Sequence, residues 1–198
     1  MKIVLGSASA RRKELLELLG YEFLVFRPLV DENLSEYRNA ADYAVRLAYK
    51  KGLETLLHFP EHLVICADTI VVANETILEK PRDKEEARKM METLSGKDHR
   101  VITGVFMNFR DYRTVFSEIT TVRIDELKAE EIEAYISTKE PYDKSGGYAI
   151  QGIFGKHVRG IDGDFYNVMG LPINRVYREI KKIESIYNIS FTKDKKPV

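Results

Sequence analysis

From Leu63 to Val72 the chain is apolar throughout except at Asp68-Thr69. Such a run reads as a buried strand. A carboxylate in the middle of it pays a large desolvation cost unless it binds a metal, meets a cation or takes part in chemistry. Structural ion pairing is the plainer alternative. At a strand's carboxyl end, Asp68 would sit where open α/β sheets gather their ligands. Cys66, two residues earlier, is the only cysteine, so it forms no internal disulfide and reads as an inert buried hydrophobe.

The rest of the chain supplies the frame for that strand. Lys2–Leu5 reads as a short buried strand ended by the small residues 6–10, and Arg11–Leu19 as a helix with Leu15, Leu16, Leu18 and Leu19 as its apolar stripe and Gly20 as its stop. Tyr21–Phe26 is a second strand and Asn39–Leu57 a helix. Asn74-Glu75 turns the central strand into Thr76–Leu78, and Asp83 with Glu86 forms a capping box for a helix closed by Ser95-Gly96. His99–Phe109 and Arg113–Ile124 read as long strands joined near Asp111-Tyr112, followed by a helix over Leu127–Ser137. Tyr148–Ile150, Phe154–Arg159 and Phe165–Met169 are expected to be short strands, and Pro172 to open a last helix reaching about Ile183. Crossover-like and hairpin-like strands mixed with helices imply an α/β protein with a mixed sheet.

A chain of 198 residues, 44% of them hydrophobic, fits one domain over 1–198, with a frayed polar tail over 192–198. The first residues lack the apolar stretch of a signal peptide, and no run is long enough to span a membrane, which points to the cytoplasm. Thirty-one Lys and Arg balance thirty-one Asp and Glu. That balance argues against a nucleic-acid polymer as partner but not against a small charged ligand.

Four further segments could carry chemistry. The loop Gly6-Ser7-Ala8-Ser9-Ala10 opens a helix whose first turn holds Arg11 and Arg12, an arrangement suited to a phosphate, although a serine N-cap followed by a solvated basic turn would look the same. It lacks the Gly-Lys-Ser/Thr ending of a P-loop and the Gly-x-Ser-x-Gly of a nucleophile elbow. In Glu79-Lys80-Pro81-Arg82, the proline holds Lys80 in extended backbone; a solvated charge run is the alternative. Lys144–Gly152 contains paired glycines, and Gln151 offers both a donor and an acceptor able to read a base edge. Asp31-Glu32 offers carboxylates for a metal, or is an exposed acidic turn. Together these suit the handling of a metal–nucleotide polyphosphate.

Ser7-Ala8-Ser9-Ala10-Arg11-Arg12, Ala67-Asp68-Thr69, Glu79-Lys80-Pro81-Arg82 and Tyr148-Ala149-Ile150-Gln151-Gly152, with Leu94-Ser95-Gly96 and Gly170-Leu171-Pro172, resemble the Maf family of nucleoside triphosphate pyrophosphatases. The resemblance covers roughly residues 2 to 185. It implies a mixed twisted sheet flanked by helices, akin to the inosine triphosphate pyrophosphatases (HAM1), with a cleft between two lobes. It further implies cleavage of a triphosphate to the monophosphate and pyrophosphate with Mg²⁺ or Mn²⁺. Asp68 takes the catalytic position, as proton acceptor or as the group that positions water or metal, and Glu32 is the second expected metal ligand. Ser7, Arg12, Lys51 and Lys80 are the expected phosphate contacts, with Lys50 adjacent to Lys51 in register. Arg11, Thr69 and Gln151 match the dTTP/UTP type at all three positions that separate it from the 7-methyl-GTP type, which carries Glu at the last. Homodimers are common in the family, which is also linked to septum formation. The rival readings are a pyrophosphatase of inosine, xanthosine or 7-methylguanosine triphosphate, and a nucleotide-binding regulator of cell division.

Overall fold

Strand β1 (Ile3–Gly6) is wholly buried, and its first three residues are bulky aliphatics suited to a covered strand. The computed structural model describes residues 2–192, so all of the expected tail except Thr192 lies outside the described residues. The strands β1, β2 (Phe23–Phe26), β3 (Leu63–Ala73), β4 (Thr76–Leu78), β5 (Asp98–Phe109), β6 (Tyr112–Ile124) and β7 (Val158–Asp162) form one sheet. Its order is β2-β1-β3-β5-β6-β7, with β4 paired to β3. β1 runs parallel to β2 and to β3, whereas β4 and β7 run antiparallel to β3 and β6, so the sheet is mixed. Asn74 and Glu75 both take left-handed backbone in the β3–β4 turn, as a two-residue hairpin requires.

The helices are α1 (Ala10–Glu17), α2 (Ala40–His58), α3 (Lys84–Leu94), α4 (Ala129–Ile136), α5 (Phe165–Met169) and α6 (Ile173–Tyr187). Ser9 caps α1, and Asn39 caps α2 by accepting from the Asp42 N–H at 3.0 Å. Asp83 accepts from the Glu86 N–H at 2.8 Å, but the Glu86 carboxylate accepts from the Arg82 N–H at 2.9 Å, one residue outside the expected box. Leu15 and Leu16 are buried, while Leu18 of the expected stripe lies past the end of α1 and is exposed.

Two expected strands are absent and a third starts late. Tyr148–Ile150 is buried but unladdered: Gly146 and Gly147 both have φ of 71°, and the Gly152 N–H turns back to the Ala149 carbonyl at 3.1 Å. Ile153–His157 is a 3-10 helix, and β7 begins only at Val158. Phe165–Met169 is α5, because Asp164 takes the Tyr166 N–H on its carboxylate at 2.7 Å and starts a turn. The last helix outruns Ile183 to Tyr187 and stops at Asn188, whose left-handed φ of 48° does what glycine does elsewhere.

The chain forms two compact units. One comprises Met1–Asp68, Gly104–Ser117 and Gly170–Val198, and the other Thr69–Thr103 and Glu118–Met169. In the first, Val4, Ala48, Val64, Cys66 and Phe106 pack into one core. Gly6 is obligatory there, since a Cβ would lie 2.3 Å from Cys66 Sγ and 2.4 Å from Thr55 Oγ1. In the second, Met91, Leu94, Val101, Ile136, Tyr148 and Phe154 belong to another. Among the described residues no helix is long and apolar enough to cross a membrane.

Candidate active site

The parallel register Leu5↔Ile65 sets the end of β1 beside Cys66, and β3 runs on past it. Asp68 therefore lies just beyond the end of its parallel neighbour, level with the loop that leads from β1 into α1. It is 8% exposed and accepts a hydrogen bond from Lys51 Nζ at 2.6 Å. Lys51 Nζ also meets Glu32 Oε1 at 2.8 Å, so a buried and an exposed carboxylate share one ammonium. Register decides between the two lysines: Lys51 faces Asp68, while Lys50 Nζ donates to the carbonyls of Asp31 (3.1 Å) and Asn33 (3.4 Å).

The loop after β1 is arranged around Ser7. Its Oγ accepts from the Ser9 N–H (3.2 Å) and from Arg12 Nη1 (3.3 Å), and the Ser9 hydroxyl accepts from the Arg12 N–H (3.4 Å). Each serine keeps its own O–H for donation. Arg12 Nε donates to the Gly170 carbonyl at 2.9 Å, which fixes the plane of the guanidinium. Burial pushes the Arg12 guanidinium below its ordinary value; Asp68 opposes this and Arg11 adds to it. It remains a cation, and Arg11 stands half-buried in the same first turn.

Thr69, Lys80 and Gln151 belong to the second unit. The Thr69 hydroxyl lies 2.9 Å from that of Thr103, and its carbonyl accepts from Ser145 Oγ at 3.2 Å. The Glu79 carbonyl accepts from the Gly146 N–H at 3.0 Å, which ties the Lys80 loop to the glycine-rich segment. Lys80 and Gln151 are exposed. Two residues here escape sequence reasoning. Thr103 is a polar residue in the apolar stretch Val101–Phe106, a weaker form of the signal that marks Asp68. Glu140 accepts the backbone N–H groups of Ile153 and Phe154, and only its following proline stands out in the sequence.

Cys66 is buried, its Sγ 3.4 Å from Thr55 Oγ1, and burial pushes the thiol up to about 11. It is buried, as expected, and a raised pKa disfavours the reactive thiolate.

No group of three or more His, Cys, Asp or Glu able to hold a metal occurs among the described residues. The convergence of Asp68 and Glu32 on one ammonium nevertheless fits a divalent ion of the Mg²⁺ kind. Such an ion takes one or two carboxylates and completes its shell with water and substrate phosphates. A structural cage of protein ligands does not fit.

The family profile described as "Maf-like protein" matches residues 2–183. The chain belongs to the Maf family. Two relatives named dTTP/UTP pyrophosphatase, from Bacillus anthracis (strain CDC 684 / NRRL 3495) and Bacillus cereus (strain AH820), are each 44% identical over 191 residues, 96% of this chain and 98% of theirs. Among solved structures, a HAM1 protein from Coxiella burnetii superposes with a TM-score of 0.52 at 16% identity, over 92% of this chain and 99% of that one. The Maf-family chain thus shares the HAM1 fold.

Proposed function

We propose that this Maf-family nucleoside triphosphate pyrophosphatase hydrolyses dTTP and UTP to the monophosphate and pyrophosphate. The observation that carries the reading is Asp68, a nearly buried carboxylate fixed on a strand by Lys51, with the Arg12 guanidinium in its field. Asp68 orients the water that attacks the α-phosphorus and accepts its proton. Arg12, Lys51, Lys80 and the Ser7 hydroxyl bind phosphate oxygens and stabilise the departing pyrophosphate. Asp68 and Glu32 would hold Mg²⁺ or Mn²⁺. When bound, that ion disperses the negative charge of the phosphates.

Arg11, Thr69 and Gln151 carry base preference. The Gln151 amide matches the donor and acceptor pattern of the uracil or thymine imide edge, and the relatives named dTTP/UTP pyrophosphatase support that assignment. On this reading residues 1–198 act as one catalytic domain in the cytoplasm. The family resemblance adds a homodimer, which light scattering tests directly.

The function itself is tested by pyrophosphate release from a panel of triphosphates with Mg²⁺ or Mn²⁺. dTTP and UTP are expected to be the fastest substrates. Absence of release sinks the reading, and faster turnover of inosine, xanthosine or 7-methylguanosine triphosphate moves the substrate to a rival base.

A further inference from the structure

We propose that Glu140 is a positioning residue for Gln151 and thereby sets base discrimination; this rests on Gln151 reading the base. Gln151 lies in a stretch with no regular structure between Tyr148 and the 3-10 helix Ile153–His157. A side chain there is only as well aimed as its backbone is anchored, and the anchors converge on one carboxylate. Glu140 Oε2 accepts from the Ile153 N–H at 2.8 Å and Oε1 from the Phe154 N–H at 3.2 Å. Oε1 also accepts from the Tyr135 hydroxyl at 3.0 Å.

Tyr135 holds the other side of Gln151. Its hydroxyl is 3.1 Å from the Gly147 carbonyl, so its one proton lies within reach of that carbonyl as well as of Glu140 Oε1. Burial, and then Glu140, push that phenol up, so it stays protonated and able to donate. Gln151 thus lies between Gly147, whose carbonyl is within reach of the Tyr135 hydroxyl, and Ile153 and Phe154, whose N–H groups Glu140 holds.

Gly152 shows how closely the clamp fits. A Cβ there would lie 2.3 to 2.6 Å from the three Glu140 carboxyl atoms. The Gly152 φ of −99° suits any residue, so that contact and not the backbone demands glycine. The carboxylate could swing away from a Cβ, but only by giving up its hydrogen bonds.

The test compares dTTP with dCTP, whose base lacks the imide N–H, in steady-state pyrophosphate release. Glu140→Ala is expected to raise KM for dTTP about tenfold, the equivalent of one or two lost hydrogen bonds, with a smaller fall in kcat and a lower dTTP/dCTP ratio of kcat/KM. Glu140→Gln keeps the shape but cannot accept at every contact, and is expected to fall between wild type and alanine. Gly152→Ala is expected to mimic Glu140→Ala in the wild type and to add nothing in the Glu140→Ala background, where the carboxylate it displaces is gone. Thermal unfolding of each variant checks that it folds; the graded Gln variant and the non-additive pair are effects that a mere loss of folded protein does not produce. Equal cost of Gly152→Ala in both backgrounds, or an unchanged dTTP/dCTP ratio in Glu140→Ala, overturns the proposal. Gln151→Ala separates the two readings. If it lowers the ratio while Glu140→Ala does not, positioning alone falls; if it leaves the ratio unchanged, the base-reading role falls and takes the proposal with it.

Discussion

Asp68 and Gln151 are held in opposite ways. Asp68 stands on a regular strand and is fixed by charge: Lys51 from α2, Glu32 beyond it and the field of Arg12. Gln151 stands on irregular backbone held from behind by a phenol and one carboxylate, next to a buried core containing Tyr148 and Phe154. The ionic arrangement leaves its groups ready to meet phosphate, so its loss should appear first in turnover. The packed arrangement presents one amide and hides the rest, so its loss should appear in selectivity and in stability.

The largest expected effect is on the ionic side. Asp68→Asn keeps the shape and removes the charge, and should lower kcat by about 10²- to 10³-fold while thermal unfolding barely moves. A near wild-type rate would break the distinction at once. Lys51→Met should also depress turnover, and it leaves Asp68 in its buried place without the ammonium. Urea unfolding should then show a loss of about 2 kcal/mol, less than for a fully buried pair because both side chains keep some exposure.

The packed side has its own measurement. His99, 3% exposed with Nε2 2.6 Å from the Tyr148 hydroxyl, is pushed down to about 4 by burial, against the opposing charge of Asp98. The unfolded chain therefore binds more protons than the native one between about pH 4 and 6.5. This contribution to stability is complete above the upper limit and is lost as pH falls through the window. Stability at pH 5 should be about 2 kcal/mol lower than at pH 7, and His99→Gln should flatten that slope. An unchanged slope would remove His99 from the argument. The smallest effect belongs to Cys66: a thiol reagent should label it only in denaturant, and Cys66→Ala should cost about 1 kcal/mol with turnover retained. Labelling of the native protein would contradict the packing described around Thr55.

What could be read from the sequence follows the same division. The frame β1, α2, β3 and α3 was legible because apolar runs, helical periodicity and the cap at Asp83 are local signals. Asp68 was legible because a carboxylate inside such a run needs an explanation. The segments at 148–150, 154–159 and 165–169 were misread because three or four apolar residues pack equally well as strand, turn or short helix. Distant groups decide there: Glu140 holds the N–H groups of Ile153 and Phe154, and Thr120 Oγ1 accepts from the Asp164 N–H at 3.0 Å just before α5. Whether Lys50 or Lys51 meets the carboxylate needs the rotation of α2, which a pair of adjacent lysines does not reveal.

Because β3 carries Asp68 and Thr69 as neighbours, the proposed chemical and base-selecting side chains are one peptide bond apart on a pleated strand. A one-residue slip of that strand would exchange the faces on which they stand. On the proposed roles, substitution at Thr69 would change the nucleotide, whereas an insertion or deletion in this stretch would forfeit turnover and preference together.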